Sequence, residues 1–437
     1  MKSSLNIALV SMSVLNGEHT HASVVRELAR ALARPVPGGD QQNHVTVYAR
    51  RYDDATRERT RLGPGATLRL IDAGPARPLA EHDLLQHVRD VADELRRRWS
   101  GANRPDVVHA HGWIGGLAAC AVARELGIPF VQSYHGLGTI ERRAGRSVHP
   151  ARVRLEAALG RGADTVLAGS EQEAYALVRL GVPRPRIGVT PYGVDGDHFS
   201  QTGPALPRSD RPRLVTVCRD LTDDGVATAI RTLVNVPGAE LAIAGGPARE
   251  ELENDPAVHQ LRILAKELHV ADRVIFLGGM SRRALPKLLR TARLVLCLSS
   301  DRPSPLVALE AMACGVPVVT TPVGGNADSV LDHITGLHVP AGRPVQIGRA
   351  VRRLLGEETT RHAYAIAAAD RAHSRYSWNR IAAETLRAYA RLLPAEEPEP
   401  RAEADTDPEP AALPAEPAEP TVPAQARESE LAAALMS

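Results

Sequence analysis

One carboxylate, Glu310, lies inside an otherwise apolar run, PSPLVALEAMACGVPVVTTPVGG at 303–325. The run reads as a helix over 306–314, a strand over 316–320 and a turn carrying Gly324 and Gly325. An acid on such a helix either accepts hydrogen bonds from ligand hydroxyls or answers the helix dipole. His109 and His111 alternate along a strand end, which turns His111 toward a cleft and His109 into packing; His135 ends the following apolar run. Asp195-Gly-Asp197 has the spacing of a DxD metal motif, but it sits in a turn. Cys120, Cys218, Cys297 and Cys314 all fall in apolar runs without metal-ligand spacing, as expected of buried thiols in a reducing compartment. No GxGxxG follows the first apolar strand, which argues against a dehydrogenase.

These residues need a frame of alternating strands and helices. Short aliphatic runs at 7–10, 45–48, 107–110, 130–134, 166–168 and 187–190 read as buried strands. A second series follows at 214–217, 241–244, 274–277, 294–298 and 318–320. Between them lie helical patterns such as 22–32, where Val24, Val25, Leu28 and Leu32 share a face. This alternation predicts an α/β protein with one doubly wound parallel sheet in each half. Aromatics make up only 3% of the chain, so both cores must be aliphatic, as suits sheets buried on two faces. Ligands of such sheets bind at the carboxyl ends of the strands. The polar stretch 200–212, with Pro204, Pro207 and Pro212, reads as a linker.

Charge is unevenly spread. The chain carries +2 overall, yet residues 394–437 hold eleven acids and two bases, which leaves +11 on the body. A basic body fits either a cleft for phosphorylated ligands or an arginine-rich surface. The tail has nine prolines and few large apolar residues, so it is expected to be disordered; its end, 429–436, is a candidate docking helix for a protein partner. No signal peptide and no membrane-length apolar stretch is visible, so a cytoplasmic protein is expected. Peripheral membrane contact stays open, and nucleic acid is not an expected partner.

Ordered motifs along the chain carry a resemblance. PDVVHAHGW at 105–113, VQSYHGLG at 131–138, ADTVLAGSEQE at 163–173 and PYGVDGDHF at 191–199 occur in the first half. LAIAGGP at 241–247, ADRVIFLGG at 271–279, TARLVLCLSS at 291–300 and SWNRIAAETLRAY at 377–389 follow in the second. With the 303–325 segment, they resemble the retaining nucleotide-sugar glycosyltransferases of the GT-4 family (glycosyl transferases group 1) over roughly residues 5–392. The finer likeness is to actinobacterial inositol-phosphate glycosyltransferases and sucrose-phosphate synthases. The resemblance implies a GT-B fold, two Rossmann-like domains facing a central cleft. The acceptor-side domain would span 1–199, the linker 200–212 and the nucleotide-sugar domain 213–376. A helix at 377–393 would cross back to the first domain, and 394–437 would be the tail.

The resemblance also implies roles. Arg219 would meet the leaving diphosphate, Glu310 the ribose hydroxyls and His135 the transferring sugar. Gly17, Met280, Leu306 and Val307 would line the donor site, the last two through backbone N–H groups. His111 and Arg154 would stand on the acceptor side, although Arg154 could equally pair with Glu156 or Asp164. No metal or other cofactor is expected, since such enzymes generally need none, and Asp195-Gly-Asp197 would be structural. Four family positions depart from pattern: Cys218 replaces Gly, Asp224 a Lys, Arg302 a Glu and Pro305 a Gly.

Two of these departures reverse charge. A carboxylate 4 Å from a phosphate oxygen costs about 4 kcal/mol at an effective dielectric near 20. Asp224 and Arg302 paired with each other would be a swapped ion pair. Two functions therefore stand: a glycosyltransferase with weakened donor handling, or an inactive GT-B protein serving as a binding or regulatory partner.

Overall fold

A computed structural model describes residues 4–12, 20–35, 42–301 and 305–394, with the side chains of 20–22 excepted. Gly17, Arg302 and the tail from 395 onward, with its candidate docking helix, lie outside the described residues. The described strands form two sheets. The first is built from β1 (Asn6–Ser11), β2 (His44–Arg50), β3 (Arg59–Gly63), β4 (Ala66–Ile71), β5 (Val107–His111), β6 (Phe130–Ser133), β7 (Thr165–Ala168) and β8 (Ile187–Val189). Its order is β3-β4-β2-β1-β5-β6-β7-β8, parallel except for the β3–β4 hairpin. The second holds β9 (Arg213–Val217), β10 (Glu240–Ala244), β11 (Val274–Gly278), β12 (Leu294–Cys297), β13 (Val318–Thr320) and β14 (Gly336–His338). Its order, β11-β10-β9-β12-β13-β14, is parallel throughout.

Sequence periodicity located eleven of these strands. It missed the β3–β4 hairpin, whose arginines break the aliphatic pattern, although Pro64-Gly65 and the alternation of Ala66, Leu68 and Leu70 are a legible hairpin signal. It also missed β14, which has only three residues. β13 begins at Val318 rather than 316, because Pro317 has no N–H to give the ladder; its carbonyl still accepts from Val295 N. The helix expected at 306–314 runs Pro305–Ala313, with proline in the first turn where its missing N–H costs nothing.

Each sheet lies between helices, and both cores are aliphatic. The segment 200–212 contains no helix or strand. Arg290 ties it down by donating to the carbonyls of Ser200 and Pro204. After helix Glu358–Tyr376 the chain crosses back at Ser377. Helix Trp378–Ala390 then buries Trp378, Ile381 and Tyr389 against Leu28 and Leu32 of helix Thr20–Leu32 in the first lobe's core.

Candidate functional site

The carboxyl ends of β9, β10 and β11 converge through glycine. Gly245, after β10, has φ +131°, and a Cβ there would stand 1.5 Å from the Cys218 carbonyl oxygen after β9. Only glycine lets the two loops meet so closely. Gly245 N donates to Gly278 O at 2.8 Å, and Gly279 N to Pro247 O at 2.7 Å. A wall of backbone results, with half-buried Met280 packed beside it. Arg219 leaves β9 exposed on this rim. Helix Pro305–Ala313 leaves β12, the hydrogen-bonded neighbour of β9, so Glu310 and Arg219 belong to the same edge of one sheet.

Glu310 is 4% exposed. Its Oε1 accepts from Arg282 Nη1 at 2.9 Å, and the Arg282 guanidinium lies 5.0 Å from the Phe199 ring centroid. Burial pushes the Glu310 carboxyl up to about 7, against the opposing pull of Arg282. The first amides after Pro305, those of Leu306 and Val307, head the same helix, and the first N–H groups of a helix have no partner within it. Leu306 itself packs into the first lobe's core cluster, so this helix start borders both lobes.

Asp224 occupies the first turn of helix Asp224–Leu233 and accepts the backbone N–H of Ser300 at 3.1 Å. Asp223, Asp224 and Asp301 bring carboxylate oxygens within 4.8 Å of one another. Each is already engaged. Asp223 caps Gly225 N and accepts from the Ser299 hydroxyl, while Asp301 pairs with Arg146. Cys218, Cys297 and Cys314 have thiols pushed by burial to about 12, and Cys120 is raised for the same reason, so none is poised as a nucleophile. Asp195 Oδ1 accepts from the N–H groups of Asp197 and His198, an Asx turn that uses the first acid of the DxD-like triplet locally.

The facing lobe contributes a histidine chain. His111, at the end of β5, shares a hydrogen bond of 2.9 Å between its Nδ1 and His135 Nε2; His135 Nδ1 lies 3.0 Å from the Tyr192 hydroxyl. One proton occupies the bond between the two rings, so both cannot be cationic at once. His135 has φ +60°, a left-handed conformation costly for a non-glycine residue. The next residue is held in place as well: Gly136 O accepts from Arg152 Nη2 at 3.0 Å. The fold thus over-determines the strained turn. His109 is fully buried, bonded to the Tyr389 hydroxyl at 2.7 Å and the Ser133 hydroxyl at 3.0 Å. Burial, with His135 nearby, drives its pKa down to about 3 and keeps it neutral.

Arg154 is exposed, and being two residues from Arg152 it lies about 200° round the helix Arg152–Gly162. Neither alternative partner takes it: Glu156 pairs with Arg152, and Asp164 caps Phe130 N. The residue that turns inward is Arg152. Sequence reasoning also passed over Arg282 and Arg146. No local pattern marks them, because each is defined by a partner far along the chain, Glu310 and Asp301.

The lobes touch around this site. Arg146 pairs with Asp301, Glu171 N donates to Asp328 at 2.9 Å, and Gly324 N donates to the Gln172 side chain at 2.5 Å. Among the described residues no helix is long and apolar enough to cross a membrane.

Comparison with known proteins agrees with this architecture. The family described as glycosyl transferases group 1 matches residues 204–371, and the glycosyl transferase 4-like domain matches 20–193. A D-inositol 3-phosphate glycosyltransferase of Frankia alni is 31% identical, covering 80% of this chain and 90% of its own length. Its counterpart from Xylanimonas cellulosilytica is 32% identical over 84% and 90%. Among solved structures, sucrose-phosphate synthase from Thermosynechococcus elongatus superposes with a TM-score of 0.77 at 24% identity, covering 89% of this chain and 99% of that one. Anabaena Alr3699/HepE, solved with UDP and glucose, gives 0.67 at 17% identity, over 89% and 100%. Both share the fold. The two-lobed sheet topology and the relatives in hand together place this chain in the GT-4 family of GT-B glycosyltransferases.

Proposed function

We propose that this protein moves a sugar from a nucleoside diphosphate donor to a hydroxyl of a small polyol, with retention of configuration. The observation that carries the reading is the shared rim: Arg219, Glu310 and the helix-start amides lie on one sheet edge, and loops that flank the His135 turn touch that lobe. In this reading Glu310 accepts from the ribose hydroxyls. Arg219 and the amides of Leu306 and Val307 receive the charge that develops on the leaving diphosphate. The base stacks beside Met280 and the backbone of Gly279. His135, with His111 behind it, hydrogen-bonds the sugar being transferred. The acceptor enters on the face the diphosphate leaves, so the leaving phosphate helps to take the acceptor's proton. These groups answer the donor's charge without a metal. The relatives are named for D-inositol 3-phosphate, a phosphorylated polyol, which supports the polyol class.

The test is calorimetry with UDP-, GDP- and ADP-sugars on the natural chain and on Asp224→Lys, followed by turnover assays and NMR of the product anomer. One nucleotide is expected to bind the natural chain. Asp224→Lys should tighten it by about tenfold or more, since a cation replaces a carboxylate on this rim. Absence of binding to any nucleotide by both proteins, or an inverted anomer, refutes the reading.

A further inference from the structure

A recess of about 500 Å³ opens to solvent at the amino ends of β9 and β12. Its walls are residues 208–213, where the linker enters β9, and the turn 290–293 that leads into β12. Five arginines line it: Arg208, Arg211, Arg213, Arg290 and Arg293. This is the far side of the sheet from the nucleotide rim. Arg213 opens β9 and Arg219 follows its other end, about 20 Å away at the rise of a strand.

Two of the arginines build the wall. Arg290 donates to the carbonyls of Ser200 and Pro204 at 2.8 and 2.9 Å. Arg213 donates from Nε to Glu240 at 2.6 Å, and from Nη1 to the Thr291 hydroxyl at 2.9 Å and the Pro207 carbonyl at 3.1 Å. These bonds fix the linker against the turn, so the fold itself shapes the recess. The other three arginines are exposed. Arg208 and Arg293 have no side-chain hydrogen bond or ion pair among the described residues. Arg211 has Asp272 at 3.2 Å, an exposed pair of little strength in water.

The acids nearby do not balance these charges. Asp210, the acid among the described lining residues, is exposed and bonded to none of the five. With Glu240 and Asp272 also counted against the five guanidiniums, two positive charges remain in excess. Arg293 also crowds Arg361: burial first, and then Arg293, hold the Arg361 guanidinium below its usual range.

We propose that this recess binds a phosphorylated small molecule, its phosphoryl dianion held by Arg208 and Arg293 while Arg211 exchanges Asp272 for it. Two unpartnered guanidiniums match two negative charges, and each can meet phosphate oxygens in pairs. A single carboxylate would leave one cation unanswered. The recess has the volume of a small-molecule site, so an organic body fits beside the phosphoryl group. The ligand would join Arg208 of the linker to Arg293 of the second lobe and brace the linker. The site lies apart from the nucleotide rim, and the proposal does not rest on the glycosyltransferase reading.

The test titrates inorganic phosphate and glucose 6-phosphate into the full chain by calorimetry, with sodium chloride at equal ionic strength as control. Phosphate is expected to bind in at least one form, and the tighter of the two names the source, free phosphate or a phosphate ester. Amide hydrogen exchange across 209–211 should slow in the bound state. Arg208→Ala and Arg293→Ala remove exposed side chains that hold no partner, so the fold should survive; each should weaken binding by about tenfold or more. Arg293→Glu should abolish it, and Arg219→Ala should leave it unchanged. Three results overturn the proposal: no binding of either probe, a response that chloride reproduces, or binding that both alanine variants retain in full.

Discussion

Arg282 donates to Glu310 across 2.9 Å, from the loop after β11 to the helix after β12. The carboxylate proposed to hold ribose is thus already partnered, and it is buried. Both facts act on its ionisation, and burial dominates.

Nucleotide affinity should rise with pH through about 7, because only the ionised Glu310 accepts both ribose hydroxyls. Stability moves the other way. With a folded pKa near 7 against an ordinary 4.5, the fold binds the proton more tightly than the unfolded chain. The resulting stabilisation is fully present below pH 4.5 and is lost as pH rises to about 7, a loss of about 3 kcal/mol. Denaturation and calorimetry across pH 5–8 check both signs. Glu310→Gln should flatten both profiles and weaken the nucleotide.

Arg282→Ala removes the one cation that, among the described residues, stabilises ionised Glu310. The midpoint of the affinity profile should shift above pH 7, and stability at pH 8 should fall by about 1–3 kcal/mol, less than for a fully buried pair because Arg282 is 28% exposed. An unchanged midpoint would mean that the pair does not control the titration.

Arg146 and Asp301 join the two lobes, and about a quarter of each side chain is exposed. Arg146→Ala should therefore cost little stability, about 0–1 kcal/mol. It should loosen the closed arrangement, read as a larger radius of gyration by small-angle scattering and as weaker nucleotide binding. High salt applied to the natural chain should mimic part of the effect.

Tyr389→Phe deletes the hydroxyl that bonds His109 Nδ1 at 2.7 Å. It leaves a buried ring nitrogen unsatisfied and slackens the return helix. A loss of about 1–3 kcal/mol in urea denaturation is expected.

Much of this architecture is local information. Aliphatic runs such as VTVYA and LVLC can do little but form buried strands, and their alternation with amphipathic helices commits the chain to two parallel sheets. From that follows a ligand edge at the strand ends, where Arg219, Glu310, His111 and His135 all fall. The hairpin before helix Glu81–Leu84 was harder to read, since its arginines hide a two-residue alternation. Charge state was not readable at all. Arg154 was singled out and Arg152 passed over, yet helix geometry leaves Arg154 exposed and turns Arg152 into Glu81, Glu141 and Glu156. Glu310 carried no sign of Arg282, 28 residues away, nor Asp224 of the Ser300 amide, 76 away. The sequence by itself determined which elements form and which edge they offer a ligand, because periodicity and chain connectivity act over short range. Only the tertiary structure decided which charges remain available there, because pairing and desolvation depend on neighbours brought together by the fold.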